Sequence, residues 1–294
     1  MKKNTRAFLL LALLLPILIL FFNACQKETS GLQSAPEGQS RMNIYISDGP
    51  TDYEHVYLDI QSIAVKIDTC SRNRHDDDDD HHENGCDDDH DQMNSHCDYW
   101  DTLNINPGVY DLMTLRNGVD TLLASDFVLN GHVKRIKFTL GTNNSVVADS
   151  VSHPLQLLNN QNWVYVDIQR RHLDSLSSSN FNLYLDIDLD RSIRYRNGSY
   201  WLKPVIKPFG RNSTGEIEGK IRPVHSYWLV KAYNATDTGY AIPWSNGEFK
   251  IRGLQPGSYS VFIDGRNGYA DTTITNVEVE RREDTELGTI TLHQ

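Results

Sequence analysis

The stretch Val56-Tyr57-Leu58-Asp59-Ile60-Gln61-Ser62-Ile63-Ala64-Val65-Lys66-Ile67 alternates apolar and polar side chains over most of its length. Because successive side chains of a strand point to opposite faces, a period of two is typical of a strand with one buried face. Similar runs lie at 136–140, 163–168 and 183–189, separated by turn residues. The sequence therefore predicts an all-β fold.

Helical periodicity is weak throughout the chain. The best helix candidate is a short segment at 112–123, which Asn117-Gly118 interrupts. With 294 residues, the chain is long enough for a leader and two ordinary domains. We therefore expect two β-sandwich domains in tandem.

The formal net charge of −11 comes from one segment. The chain has 39 acidic and 28 basic residues, and eleven of the acids lie in the stretch 75–98, which has no Lys or Arg. Without these eleven acids the charges balance. Because phosphate binding needs a positive stripe, we expect no nucleic-acid partner.

The N-terminus has the three parts of a secretion signal. Lys2, Lys3 and Arg6 precede an apolar run at 7–22, and Ala24 stands before Cys25. The Ala-Cys ending resembles the lipobox of bacterial lipoproteins, although Phe22 stands where that pattern usually has Leu.

This resemblance implies a signal peptide at 1–24 and lipidation of Cys25. Acyl chains such as palmitate would then anchor the protein in the membrane. Residues 25–40 are rich in Ser, Gly, Gln and Pro, which predicts a flexible tether. The stretch Gln26-Lys27-Glu28, which contains two charged residues, resembles a surface-export signal, so we expect a surface-exposed lipoprotein of the outer membrane.

Several short motifs follow one another in a recognisable order. They are Ser47-Asp48-Gly49-Pro50, Val56-Tyr57-Leu58-Asp59-Ile60, Gly108-Val109-Tyr110-Asp111-Leu112, Asn117-Gly118-Val119-Asp120, Leu140-Gly141-Thr142-Asn143-Asn144-Ser145-Val146 and Leu202-Lys203-Pro204-Val205-Ile206. Together they resemble the domain of unknown function 4382, common in bacterial lipoproteins. The resemblance implies a β-sandwich at 41–210, with residues 70–98 as an insertion in a loop. It implies no particular activity.

The last part of the chain has a second set of motifs. After a linker predicted at 208–215 come Gly215-Glu216-Ile217-Glu218-Gly219, Gly247-Glu248-Phe249, Ile251-Arg252-Gly253-Leu254 and Pro256-Gly257-Ser258-Tyr259. These resemble the carboxypeptidase regulatory-like domain, which implies a prealbumin-like, carbohydrate-binding-like sandwich at 214–294. Asn246-Gly247 predicts a tight hairpin turn within it.

The acidic insertion offers ligands for metal ions. Carboxylates suit calcium, whereas imidazole and thiolate suit zinc. The spacing matches neither an EF-hand nor a paired Cys-x-x-Cys zinc site. Weak cation binding and a solvated loop therefore both remain open. The candidate metal ligands are Asp76, Asp77, Asp78, Asp79, Asp80, His81, His82, Asp87, Asp88, Asp89 and His90.

Cysteines flank the insertion and also lie inside it. Cys70, Cys86 and Cys97 allow three single pairings, among which the sequence does not choose. We favour Cys70–Cys97, because a disulfide at the loop base would offset the entropy of closing a long loop, if the flanking strands pair. Cys86 would then be a free thiol or a metal ligand.

Other polar clusters give weaker signals. Asp186, Asp188 and Asp190 would share one face of a strand at 183–189, where a solvated face is a simpler reading than a cation site. The motifs of serine hydrolases, zinc peptidases and phosphate-binding loops are absent from the sequence. We therefore predict that the protein is not an enzyme.

The leading hypothesis is a non-catalytic surface lipoprotein that presents binding or adhesion modules, with an acidic loop that collects divalent cations. One alternative is carbohydrate binding by the C-terminal sandwich through Trp228, Trp244 or Tyr269. Another is a structural accessory subunit of an envelope complex. A glycan or an envelope protein is the expected partner beside the membrane.

Overall fold

The computed structural model describes residues 34–49, 51–70, 97–177 and 179–294. These residues are almost entirely β, as predicted, and they form two pairs of sheets, each pair with its own hydrophobic core. We call residues 39–209 the N-terminal sandwich and residues 215–294 the C-terminal sandwich. No helix among the described residues is long and apolar enough to cross a bilayer.

The N-terminal sandwich contains strands β1 to β14. They are β1 Gln39–Asp48, β2 His55–Asp68, β3 Asp98–Leu103, β4 Gly108–Asp111, β5 Thr121–Leu129, β6 His132–Leu140, β7 Ser145–Ala148, β8 Val151–Leu157, β9 Trp163–Asp167, β10 Leu173–Ser177, β11 Asn180–Ile187, β12 Ile193–Arg196, β13 Ser199–Leu202 and β14 Ile206–Phe209. Three short 3-10 helices connect some of them, at Leu112–Leu115, Leu158–Asn160 and Arg170–His172.

Two sheets of unequal size form this sandwich. The smaller has the order β10-β11-β1-β5, with β14 also paired to β11. The larger has the order β12-β13-β8-β7-β2-β6-β9, and β3 and β4 also pair with β2. Strand β1 pairs in parallel with β11 and antiparallel with β5, so the first strand of the fold lies inside its sheet.

Strand β2 organises the larger sheet, as its alternation indicates. Its large aliphatic residues are at most 2% exposed and contribute to the core: Val56, Leu58, Ile60, Ile63, Val65 and Ile67. Ile60 and Ile63 are three residues apart, so strict alternation would place them on opposite faces. A register shift between Ile60 and Ser62 interrupts the alternation, so the side chains of Ile60 and Ile63 both face the core.

Two local predictions for this part were wrong. Residues 112–123 do not form one helix, because a single 3-10 turn ends at Leu115 and β5 begins at Thr121. The strand expected at 183–189 ends at Ile187, where Asp188 caps a short helical turn, α1, at Leu189–Ser192. A side-chain cap competes with strand continuation because it satisfies backbone N–H groups of the turn.

The C-terminal sandwich contains strands β15 to β21. They are β15 Gly215–Arg222, β16 Tyr227–Tyr233, β17 Thr238–Ala241, β18 Glu248–Leu254, β19 Gly257–Gly265, β20 Thr272–Val279 and β21 Asp284–Thr291. One sheet has the order β18-β15-β21 and the other β17-β16-β19-β20. Asn246-Gly247 makes a turn but not a hairpin, because the flanking strands β17 and β18 belong to different sheets.

The predicted linker is shorter and more fixed than expected. Phe209 ends β14 and is 2% exposed, and β15 begins at Gly215. The buried carboxylate of Asp174 accepts hydrogen bonds from the backbone N–H groups of Arg211 (2.6 Å) and Asn212 (2.8 Å). The connection therefore follows a defined path against the N-terminal sandwich.

Ion pairs join the two sandwiches along a seam. The Lys207 Nζ atom of β14 lies 2.7 Å from Oδ1 of Asp237 in the C-terminal sandwich. Although burial opposes it, the charge of Lys207 helps to hold the pKa of Asp237 below its usual value. In a second ion pair the base comes from the C-terminal sandwich: Arg252 of β18 lies 2.8 Å from Asp120 of the N-terminal sandwich. Residues 36–294 accordingly form one compact unit.

Candidate functional site

Most predicted site residues lie outside the described part of the chain. This applies to the leader, Cys25, Cys86 and the metal-ligand candidates from Asp76 to His90. Lipidation and cation binding by the insertion therefore stay predictions. Strand β1 begins at Gln39, two residues before the predicted domain start.

The two ends of the acidic insertion are described, and they lie together. Strands β2 and β3 pair with Lys66 opposite Trp100, and a disulfide joins Cys70 to Cys97 with Cα atoms 5.3 Å apart. Asp68 lies beside both cysteines. Because metal ligation by cysteine requires a thiolate, a disulfide-bonded pair does not make this group a metal site. Instead Asp68 pairs with Lys134 at 2.7 Å.

Asp186, Asp188 and Asp190 do not share one strand face. Asp186 is partly buried in β11, where the Ser47 hydroxyl donates to it at 3.2 Å and burial raises its pKa. The Asp188 carboxylate accepts the backbone N–H of Arg191 at 2.9 Å as the cap of α1. Asp190 is exposed in the first turn of α1.

The three aromatic residues predicted to bind carbohydrate are only partly exposed. The Arg266 guanidinium carbon lies 4.0 Å from the ring centroid of Trp228, and that of Arg116 lies 5.2 Å from Trp244. Tyr269 packs against the C-terminal core. These rings therefore offer less free surface than a flat sugar-binding platform requires.

A more exposed aromatic group lies on the N-terminal sandwich. Trp100 of β3 is 47% exposed, and on β9 Trp163 is 41% and Tyr165 is 47% exposed. All three point away from the core, on the outer face of the larger sheet, and we call them the aromatic face. Trp163 and Tyr165 are two residues apart on one strand and so lie about 7 Å apart on the same side.

The rings of the aromatic face approach each other across the sheet. Strands β2 and β6 lie between β3 and β9, yet the ring centroids of Trp100 and Tyr165 are 6.0 Å apart. Strands are spaced about 4.8 Å apart, so the two side chains must lean toward one another over the intervening strands. The result is a broad ring surface and not three isolated side chains.

Basic and acidic side chains alternate around these rings. Lys66 lies 2.7 Å from Asp98, and Arg135 lies 2.6 Å from Asp167. The Arg135 guanidinium carbon is 5.6 Å from the Tyr165 ring centroid, and the Lys137 Nζ atom is 5.8 Å from that of Trp163. The charged groups of the face are thus largely paired, and hydrogen-bonding groups surround an apolar centre.

Such a surface suits a ligand with both apolar and polar parts. A sugar ring has an apolar face of C–H groups and a rim of hydroxyls, so it can stack on an indole or phenol ring while its hydroxyls bond to neighbouring polar groups. Exposed aromatic patches on otherwise polar proteins mark binding sites more often than chance.

Sequence reasoning missed this face for a clear reason. Trp100 and Trp163 are far apart in sequence, and only the pairing of four strands brings them to one surface. One signal was available: in Trp163-Val164-Tyr165 the two large aromatic residues alternate with the residue that packs on the core.

Known structures show only distant similarity. A chain of a cohesin-X-dockerin complex from Acetivibrio cellulolyticus aligns at 26% identity, covering 26% of this chain and 56% of its own, with a TM-score of 0.23. The minor pilin of Streptococcus agalactiae aligns at 12% identity over 85% of this chain and 95% of its own, with a TM-score of 0.21. Such scores indicate little common spatial arrangement.

Comparison with curated proteins finds no match. A family match does exist, and it covers residues 39–204, which is more than half of the 294 residues and nearly all of the N-terminal sandwich. It agrees with the motif order from Ser47 to Val205. The chain belongs to the family of the domain of unknown function DUF4382.

Proposed function

We propose that this protein is a non-catalytic, lipid-anchored protein of the bacterial outer membrane that binds neutral glycans through its aromatic face. The exposure of Trp100, Trp163 and Tyr165 on one sheet surface is the observation that carries the glycan-binding part. The anchoring part depends on the leader sequence and on Cys25.

The charge distribution favours a neutral glycan over an anionic one. Lys66 and Arg135 are already paired with carboxylates on the face. Both ends of the insertion, which contributes most of the eleven clustered acids, leave the sheet at β2 and β3 beside Trp100. Because the segment between these ends carries a large net negative charge in the sequence, we expect the protein to disfavour an anionic polymer relative to a neutral one.

The C-terminal sandwich has a supporting role in this proposal. Its motifs resemble the carboxypeptidase regulatory-like domain, and we propose a prealbumin-like sandwich without peptidase chemistry. It pairs with the N-terminal sandwich through Lys207–Asp237 and Arg252–Asp120, and the two sandwiches belong to one compact unit.

Affinity electrophoresis of residues 26–294 in gels that contain soluble neutral polysaccharides tests glycan binding. We expect one or more of β-glucan, xylan, mannan or dextran to retard the protein. Trp100→Ala and Trp163→Ala should weaken the retardation at least tenfold, because stacking on each ring is lost. Tyr99→Ala is a matched control, since Tyr99 is 48% exposed on β3 but its side chain points to the opposite face.

Two results would contradict glycan binding at this face. One is the absence of retardation by every polysaccharide in the panel. The other is an equal loss for Tyr99→Ala and Trp100→Ala, which would mean that general surface chemistry causes the effect. Anchoring has a separate test: a metabolic palmitate label should appear on the wild-type protein and not on Cys25→Ser.

We also propose that the acidic insertion collects calcium or zinc ions. Calorimetric titration of residues 26–294, compared with a deletion of 71–96, tests this. Heats that saturate in the intact protein and vanish in the deletion support an ion site. Equal heats in both proteins would count against it.

A further inference from the structure

A cleft of about 120 Å³ lies at the seam between the sandwiches. The N-terminal sandwich contributes Asp52, from the β1–β2 connection, and Asp188 and Asp190 of the α1 turn. The C-terminal sandwich contributes Trp228 of β16 and Tyr240 of β17. A cleft of this size is much smaller than the pockets that take drug-sized molecules, so it fits a single side chain or a small ligand.

The cleft is electronegative. Three of its lining residues are carboxylates, and none is Lys or Arg. Burial and then the nearby charges of Asp188 and Asp190 raise the pKa of Tyr240, so both carboxylates act on this ring. Two arginines lie close by but are engaged at the margin: Arg191 is 3.9 Å from Asp188, and Arg194 donates to the Asp190 carbonyl at 2.8 Å.

Aromatic and aliphatic walls distinguish this cleft from a metal site. Trp228 and Tyr240 line it together with Leu229 and Ile242. Calcium prefers six to eight oxygen ligands, and of these four side chains only that of Tyr240 carries an oxygen atom. An organic cation suits both kinds of wall, because its charge interacts with carboxylates and ring faces while its carbon stem packs on apolar groups.

We propose that this cleft binds a lysine residue of a peptide or protein partner. The ammonium group would lie among Asp52, Asp188 and Asp190, and the carbon stem would pack along Trp228 and Tyr240. This site is separate from the aromatic face, and the inference does not depend on glycan binding.

NMR titration of residues 26–294, observed at the indole N–H of Trp228, tests the proposal. The probes are Nα-acetyl-lysine methylamide, its Nε-acetylated form and n-butylammonium. We expect the lysine derivative and n-butylammonium to shift the signal saturably, because both carry an ammonium group on a carbon stem, and the Nε-acetylated form to bind at least tenfold more weakly because it lacks the charge.

Variants separate the cleft from general surface charge. Asp52 and Asp190 are exposed, so Asp52→Asn and Asp190→Asn keep shape and fold, and their combination should weaken lysine binding about tenfold or more. Glu280→Gln, an exposed carboxylate elsewhere, is the charge-matched control. Trp100→Ala should also leave lysine binding unchanged, although it removes glycan binding.

Several outcomes would overturn the proposal. They are the absence of a saturable shift with the lysine derivative and equal binding of its Nε-acetylated form. Saturation of the same signal by calcium chloride alone would replace the lysine site with a metal site.

Discussion

Asn117 of the N-terminal sandwich pairs with the edge of β18 at Lys250 as another strand would. Its Oδ1 atom accepts the Lys250 backbone N–H at 2.6 Å, and its Nδ2 group donates to the carbonyl of Glu248 at 3.1 Å. One side chain thus occupies two backbone groups of an edge strand. Asn117 belongs to a motif of the DUF4382 region, so that motif contacts the C-terminal sandwich.

Asn117→Ala should lower the free energy of unfolding by about 1–2 kcal/mol, because two backbone groups of β18 lose their partners. Denaturant unfolding followed by fluorescence measures the change. Asn197→Ala is the control, because Asn197 is exposed in an Asn-Gly turn and both asparagines have a positive φ (58° and 50°). An equal loss in the two variants would assign the effect to backbone conformation and not to the seam.

Substitutions at Gly141 and Asp59 should have non-additive effects on the free energy of unfolding. Asp59 is 3% exposed and accepts the Asn143 backbone N–H at 3.0 Å, and a Cβ atom on Gly141 would collide with its carboxylate. We expect Gly141→Ala to cost about 1–3 kcal/mol, as overpacking does, and the double variant with Asp59→Ala to cost less than the sum of the two single variants.

Gly108→Ala is the control for this pair, because no atom lies within 4 Å of a Cβ built at Gly108. Its cost should stay within about 1 kcal/mol. Thermal melting of the four proteins measures all these effects, and simple additivity of Gly141→Ala and Asp59→Ala would contradict the proposed collision.

His172 should make stability depend on pH. Burial, and secondarily the charge of Arg171, lowers the pKa of His172 to about 4 from an ordinary value of 6.5. Below pH 6.5 the unfolded chain takes up a proton at this residue, whereas the folded protein does so only near pH 4. This contribution to stability is therefore complete above pH 6.5 and is lost as the pH falls toward 4.

Unfolding measured between pH 7.5 and 4 should show a smaller decline for His172→Gln than for the wild type. His293→Gln, at an exposed residue, is the control and should follow the wild type. Parallel curves for His172→Gln and the wild type would mean that other groups cause the decline.

The Cys70–Cys97 disulfide should stabilise the fold by constraining the unfolded chain. The cysteines are 27 residues apart, for which the chain-entropy model gives about 3–4 kcal/mol. Cys70→Ser with Cys97→Ser should lower the free energy of unfolding by that order. Thiol titration of denatured residues 26–294 should find one free thiol before reduction and three after it; three before reduction would rule the bond out.

The sequence predicts the strands better than it predicts the site. The alternation in β2 is a local property, and it suffices because one face of that strand meets the core. The aromatic face combines residues that are far apart in sequence. The side chains of Trp100 and Tyr165 lie close together only because three pairs of strands, β3–β2, β2–β6 and β6–β9, pair in the observed register. The alternation of apolar and polar residues predicts a strand position for Asp188, because a period of two carries no information about helix capping. A capping signal is nevertheless present in the sequence, since Asp directly before Leu-Asp-Arg-Ser is typical of the start of a helical turn.

The position of β1 would have a mechanical consequence if the protein is held by its N-terminus, as we propose. Tension that enters at Gln39 acts along a strand bonded on both sides, to β11 in parallel and to β5 antiparallel. Hydrogen bonds of two ladders then carry the load at the same time and must shear together, whereas an edge hairpin opens one bond after another. A bound ligand could thus pull on the protein with considerable force before its first strand leaves the sheet.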